Sequence, residues 1–483
     1  VQGASRYIFQ RVNTRLCTLL LGLLALGCLY STSAAARSSD LLRYHVTNAT
    51  LEASLSNVEL SRVATRLSKV TGWRVEYDPD TDVRLSVKFK EAPVSEALRK
   101  LLGDLNFSLL PSTNGSARLL IYRTNPSQAT RVVEMRVARG RSRATNVIEN
   151  ELVIALDPNS KKSAAEIAAE LGGKVVSQLG DEAAYRLSFA DKAAADAARE
   201  RLINEYDDVI GVDDNFSINR PNNPLMAADS AAPQGFGLKP APPGNGKTIV
   251  GLIDMPVQPI DGPMKDFLLP SINVTGETKE LAELSHGTSM AQTVLQGLAA
   301  ATPPDHTSNV RVLPIDVYGA NGTTTTFDVA RGIVTAVNNG ATVLNLSLGG
   351  EGDSPFLDSL ITEVRGRGVM VLAAAGNQPT TAPTWPAAHP DVIAVTAADR
   401  RGNVAPYANR GQFVDLLAPG TSKVQFNNQT FFVSGTSTAT AFVSGVAAAH
   451  ASAGKSQAEV QYYLQRAFPM RTDAPTVPGP PQP

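Results

Sequence analysis

Apolar and polar positions follow different periods in three successive blocks of this chain. In the first, residues 44–123, Leu60, Val63, Ala64, Leu67 and Val70 recur at helical spacing and stop at Gly72, which predicts an amphipathic helix. Strand-like stretches follow at 73–77 and 83–89, the second alternating Leu85, Val87 and Phe89. A second helical face carries Val94, Ala97, Leu98, Leu101 and Leu102 up to Gly103, and further strand-like stretches lie at 107–110 and 118–122. Helix, two strands, helix, two strands is the pattern of a small α+β domain.

The second block, residues 150–220, places strands at 152–156, 174–179, 184–189 and 209–212, with Ala-rich helices at 163–171 and 191–205. That βαββαβ order predicts a ferredoxin-like arrangement, which by itself says nothing about activity. A stretch rich in Pro, Gly, Ala and Asn follows at 221–247 and reads as a linker able to lie extended.

The third block, residues 248–471, is an α/β pattern. TIVGLID is an apolar run that ends in Asp254; LSHGTSMAQTVLQGL sets His286 before a helical face of Met290, Ala291, Val294 and Leu295. ATVLNLSLGG, GVMVLAAAGN and DVIAVTAAD are three more strand-like runs, the second ending at Asn377. Apolar strands alternating with helices predict a parallel sheet covered on both faces, whose strand ends carry the site. In VSGTSTATAFVSG, Phe442, Val443, Val446 and Ala447 recur at helical spacing, so Ser437 sits where a helix begins. Unpaired N–H groups and the positive end of the helix dipole favour a developing oxyanion there.

Those residues form a reaction set. The Ser437 hydroxyl needs a base to attack a carbonyl, and His286 is the candidate. His286 needs a carboxylate to fix its tautomer, and Asp254 is the candidate; the amide of Asn377 and the Ser437 N–H are the candidate oxyanion donors. HGTSMA, LSLGG, AAAGN and SGTSTATAFVSG, in that order after Asp254, strongly resemble the motifs of the subtilase (subtilisin-like serine protease, peptidase S8) family. The resemblance covers about residues 248–471. It implies a subtilisin-like fold, peptide-bond hydrolysis by an Asp254–His286–Ser437 triad, and substrate-binding positions at Ser347, Leu348, Gly349, Ala374 and Gly376. No acidic residue lies in 348–350 or 373–376, so an apolar residue is expected before the cut. Two departures stand out. Met255 and Pro256 follow Asp254 where the family usually has Thr or Ser and then Gly, which leaves Asp261, in QPIDGP, as the alternative carboxylate; and Ala441 replaces the usual Pro.

The blocks before it carry resemblances too. Residues 147–220 look like the propeptide domain of subtilases, which assists folding and then covers the active site. Residues 44–123, with VELSRVATRLSKVTGWRVEYDPD and LSVKFKEAPVSEALRKLL, resemble the short N-terminal domain of secretins and TonB-dependent receptors. That likeness implies a Gram-negative envelope protein and a protein partner. Arg6, Arg11 and Arg15, the apolar run 16–30 and Ala34–Ala36 in series predict a secretory signal at 1–36. The run is short for a bilayer-spanning anchor, the competing reading. Gly27 before Cys28 allows a lipoprotein signal, with Ala25 a poor match to it. The only two cysteines, Cys17 and Cys28, lie in that segment, so a chain cut after Ala36 has neither thiol nor disulfide.

Composition narrows the classes. A formal net charge of −1 without a long basic run gives no indication of nucleic acid as a partner. His306, His389 and His450 read as loop, turn and helix-end residues without metal-ligand spacing. No cofactor is expected. Subtilases often bind calcium through loop Asp and Asn residues, but AAATPPDHTSN after the His286 helix lacks such a run, so a structural calcium has no assignable place. The Pro-rich end, 472–483, is expected to be disordered. The sequence therefore predicts an exported, periplasmic or secreted serine endopeptidase, made as a self-processing zymogen that acts on polypeptides. The competing reading is a non-catalytic envelope binding or sensor protein on a degenerate subtilase fold.

Overall fold

The computed structural model describes residues 41–470 apart from 46–48, 82, 111–116, 135–145, 181–182, 223–224, 228–235, 242–247, 278–280 and 304–305. The expected leader at 1–36 and tail at 472–483 lie outside the described residues. No helix among the described residues is long and apolar enough to cross a membrane.

The first module holds both expected helices, Leu60–Thr71 and Val94–Leu102, each followed by a glycine at positive φ. It also has strands that periodicity did not show. Leu41–His45 and Thr50–Glu59 precede the first helix, and Arg131–Glu134 follows the last expected strand, so the module extends beyond the expected 44–123. Leu51, Ala53 and Leu55 alternate inward, but the pairing slips before Val58, with Asn57 at positive φ. That slip breaks the period-2 signal. The strands form a three-stranded antiparallel sheet and a four-stranded sheet in the order 106–110, 118–122, 74–77, 131–134. One core, including Leu67, Trp73, Leu98 and Ile121, joins them.

In the second module the strands are Val147–Leu156, Lys174–Gln178, Ala184–Ser188 and Val209–Asn219, and the helices Ala164–Glu170 and Lys192–Glu205. The sheet order within the module is fourth, first, third, second, all antiparallel. Ile167, Ala168, Ala195, Ala198 and Leu202 from the two helices share a core with Ile154, Leu187 and Val212. Ser163 and Glu166 close a reciprocal cap on the first helix, and Asp191 caps the second. Its far end is held by the first module. Buried Lys69 donates to the Tyr206 carbonyl at 2.6 Å, and Arg66 pairs with Asp207. Burial pushes the Lys69 amine down to about 8.

The third block builds a seven-stranded, all-parallel sheet in the order 272–273, 311–316, 249–254, 341–346, 370–374, 392–398, 416–419. Helices His286–Ala301, Thr436–Ser452 and Gln457–Ala467 cover one face, and Thr326–Asn338 and Pro355–Gly366 the other. The strands are buried on both sides, which is why they read as unbroken apolar runs. Helices His286–Ala301 and Thr436–Ser452 cross at very short range. A Cβ on Gly297 would lie 2.0 Å from the Phe442 carbonyl oxygen, and one on Gly445 would lie 1.9 Å from that of Val294. This glycine-mediated crossing fixes the two helices whose first turns hold His286 and Ser437.

Candidate active site

Asp254 ends its strand at the C-terminal edge of the sheet, and His286 is the first residue of its helix. The His286 Nδ1 lies 2.8 Å and 3.0 Å from the two Asp254 carboxylate oxygens, with the residues only 2% and 1% exposed. Asp261 is exposed, precedes a short 3₁₀ turn without a side-chain capping bond, and lines a groove with Met264, Gln296 and Phe426. Asp254 is therefore the carboxylate that the structure places against the imidazole. The unusual Met255-Pro256 does not displace it. Pro256 lacks an N–H but offers its carbonyl to the Ser285 hydroxyl at 2.6 Å, while Gln258 exchanges bonds with the Ser285 amide and the Thr288 hydroxyl. The helix start and the strand end are thus latched together. Gly287 permits that approach, because a Cβ there would lie 2.0 Å from the Met255 carbonyl oxygen.

Ser437 is the second residue of its helix and is 6% exposed. Its hydroxyl donates to the Ser347 carbonyl at 3.2 Å. The Asn377 side-chain oxygen accepts from the Thr436 amide at 2.9 Å and the Thr436 hydroxyl at 3.1 Å. That anchors the carbonyl end and leaves the NH₂ end facing the space beside Gly435. A Cβ on Gly435 would lie 3.2 Å from Asn377 Nδ2 and 3.7 Å from the Ser437 nitrogen, so glycine keeps open a hollow lined by both donors. Buried Asn409 wraps the same turn, donating to the Ala375 carbonyl and accepting from Gln378. Nothing in the local sequence marks Gln258 or Asn409. Only the Thr436 position, next to the nucleophile candidate, offered a signal.

Of the expected substrate positions, Ser347 meets Ser437 twice, through its carbonyl and through its hydroxyl on the Ser437 carbonyl at 3.2 Å. Leu348 is buried in the apolar cluster that Ile218 of the second module joins, so it offers backbone and not a free side chain. Gly349 and Gly350 lie against Trp385, Ala374 closes its strand, and Gly376 turns at positive φ beside Asn409. The other histidines stand apart from this set in their contacts. His306 is exposed, His450 packs on Tyr463, and His389, expected in a turn, is buried with Nδ1 accepting from the Asp391 amide. Among the described residues no group of three or more His, Cys, Asp or Glu is placed to hold a metal ion.

The second module lies on this domain through its last strand. Asp213 accepts from the Ser354 hydroxyl at 2.7 Å and the Phe356 amide at 2.9 Å, at the start of helix Pro355–Gly366. Asn215 accepts from the Thr326 hydroxyl and the Phe327 amide at the start of helix Thr326–Asn338. One strand thus caps two helices of its neighbour. Burial pushes the Asp213 carboxyl up to about 7, against the pull of those hydrogen bonds. The strand then pairs antiparallel with the edge Thr323–Thr325, with Ile218 also against Gly350. Beyond it, Leu225–Ala227 pairs with Phe431–Val433, just before Ser437.

Residues 245–476 match the subtilase family of peptidases S8. The thermophilic serine proteinase of Bacillus sp. (strain AK1) is 35% identical over 38% of this chain and 46% of its own length. Thermitase of Thermoactinomyces vulgaris is 35% identical over 37% of this chain and 66% of its own length, so the matched part spans about half to two thirds of these relatives. Among solved structures, fervidolysin from Fervidobacterium pennivorans, titled a keratinolytic enzyme related to subtilisin, aligns with a TM-score of 0.50 at 21% identity. It covers 64% of this chain and 55% of that one, a likeness of fold. With its parallel sheet, its Asp254–His286 pair and this match, the part of the chain from 245 to 476 is a subtilase (peptidase S8) domain.

Proposed function

We propose that this protein is an exported serine endopeptidase made as a self-inhibited zymogen, with Asp254, His286 and Ser437 as its triad and Asn377 as oxyanion donor. The observation that carries this reading is the joint placement of the buried Asp254–His286 pair, Ser437 at a helix start, and an Asn377 amide whose oxygen is already engaged by Thr436. Asp254 accepts from Nδ1–H of His286, which leaves Nε2 as the base for Ser437. The tetrahedral oxyanion then collects hydrogen bonds from Asn377 Nδ2 and the Ser437 N–H, two donors that need no reorganisation. The leaving amine takes the proton back from His286, and water repeats the cycle on the acyl-enzyme.

The second module acts as the propeptide. Its last strand holds the edge Thr323–Thr325 that an extended substrate would need, which supports inhibition by occupancy. Self-cutting falls between Arg220 and Leu225, within the start of the 221–247 linker, because the pairing with Thr323–Thr325 ends before this stretch and the pairing with Phe431–Val433, shortly before Ser437, begins at its end. The first module serves as a contact domain for an envelope partner; its firm seat on the second module, through Lys69 and Arg66, supports joint release of the two. A fluorophosphonate probe on the processed protein tests the enzyme reading. Covalent labelling at Ser437, lost in His286→Ala, is the expected result, and an inert Ser437 in a folded, processed chain would favour the non-catalytic sensor.

A further inference from the structure

The expected substrate positions contain no acid, yet the segment that occupies the cleft carries a cation. Arg220 follows directly on the strand paired with Thr323–Thr325, and its own amide continues that pairing by donating to the Gly322 carbonyl at 3.1 Å. Its guanidinium does not turn to solvent. Nη2 donates to the Gly319 carbonyl at 3.1 Å, and Nε is buried without a hydrogen-bond partner. The preceding Asn219 carbonyl accepts from Tyr318 Oη at 3.1 Å.

An arginine so placed needs nearby negative charge, and the loop supplies it. Asp316 ends the strand next to that of Asp254, in register with it. Its carboxylate accepts from the Tyr318 and Gly319 amides at 2.9 Å each and from Asn273 Nδ2 at 2.7 Å. Those bonds fix the turn that aims the Gly319 carbonyl at the guanidinium. Arg220 acts electrostatically on Asp316 and Tyr318 and opposes both the burial and the Asp254 charge that push these groups up. Two residues earlier, Ile218 is buried in a hollow that it shares with Leu357 and Trp385.

We infer that the cleft contains a subsite for a guanidinium, formed by the Gly319 carbonyl with Asp316 behind it, two positions after an apolar subsite and shortly before the cut. This deepens the peptidase reading above and rests on it. Once residues 217–220 leave, a substrate strand on the same edge inherits the same places. The substrates are then extended protein segments in which an apolar residue is followed two positions later by Arg, with cleavage within the next few bonds. The acid lies outside both stretches that predicted an apolar residue at the cut itself, so the two preferences act at different positions.

The test uses the processed enzyme and quenched peptides that copy residues 214–227, with Arg, citrulline or Leu at the place of Arg220. Citrulline keeps the shape and removes the charge. A charge-assisted hydrogen bond predicts kcat/KM about ten- to a hundredfold higher for Arg than for citrulline. Asp316→Asn should bring that ratio close to one, and the ratio on the unaltered enzyme decides alone should this variant not fold. Equal cutting of all three peptides by the unaltered enzyme would overturn the guanidinium subsite and leave the peptidase reading standing. No cutting of any peptide, together with no labelling of Ser437, would overturn the peptidase reading and the subsite with it.

Discussion

Replacing Asp213 by Asn should remove a pH dependence from the hold of the second module on the catalytic domain. In the docked state this carboxyl is fully buried between two helix-cap donors and sits at about 7, against an ordinary value of 3.8 once released. The docked state therefore binds a proton that the released state gives up. The hold is complete below about pH 4, weakens as pH rises toward about 7, and is flat above it. A difference of that size corresponds to at most roughly 4 kcal/mol across the window. Asn keeps the acceptor for the Phe356 amide and carries no charge, so its hold should not vary over this range. Asp213→Ala loses the acceptor as well, costing about 1–2 kcal/mol, or about five- to thirtyfold, at pH 5. Hydrogen exchange of amides 326–329 and 356–358, in a Ser437→Ala background and corrected for the intrinsic pH dependence, reads the opening directly. Asp214, whose charge also acts on Asp213, is paired with Arg199 and is unchanged in sequence in both variants. The same slope in Asp213→Asn as in the parent, or a hold that strengthens from pH 4 to 7, would refute the reasoning.

Other perturbations separate the remaining roles. Asp254→Ala should lower turnover on the order of 10⁴-fold, by analogy with a triad carboxylate, while Asp261→Ala should cost little; equal effects on peptide hydrolysis would point away from the 2.8 Å pair. Asn377→Ala should lower kcat about 10²- to 10³-fold with little change in KM, and Thr436→Val, which removes one of the two hydrogen bonds to the Asn377 carbonyl and keeps the amide one, should lower kcat in the same sense but less. Lys69→Ala should loosen the first module from the second, so that protease fragments of the released N-terminal piece separate on a sizing column, whereas the parent fragments travel together.

The sequence exposed most of this fold for a physical reason. The strands ending at Asp254, Leu346 and Ala374 are covered on both faces, and such strands appear as apolar runs with polar residues at their tips. His286, Asn377 and Ser437 stand at those tips or at helix starts, where the motifs also lie. What stayed hidden depends on distant partners. Asp213 and Asn215 are ordinary polar residues in VDDNFS until the helix-start amides of Phe356 and Phe327, 143 and 112 residues away, are brought to them. Thr323–Thr325 has no apolar alternation and becomes a strand only by pairing with Ser217–Asn219. Met255 and Pro256 depart from the usual residues after Asp254, and the latch through Gln258, Ser285 and Thr288 that holds this strand end is announced by no local pattern.

Self-processing by Ser437 is the centre of this account, and the new N-terminus is its most direct readout. Intact-mass and N-terminal analysis of the parent chain and of Ser437→Ala, both made in a host lacking other proteases, decides it. The parent should show a new N-terminus between residues 221 and 225, and Ser437→Ala should persist as one uncut chain with the second module still docked. The same cut in Ser437→Ala would contradict the account.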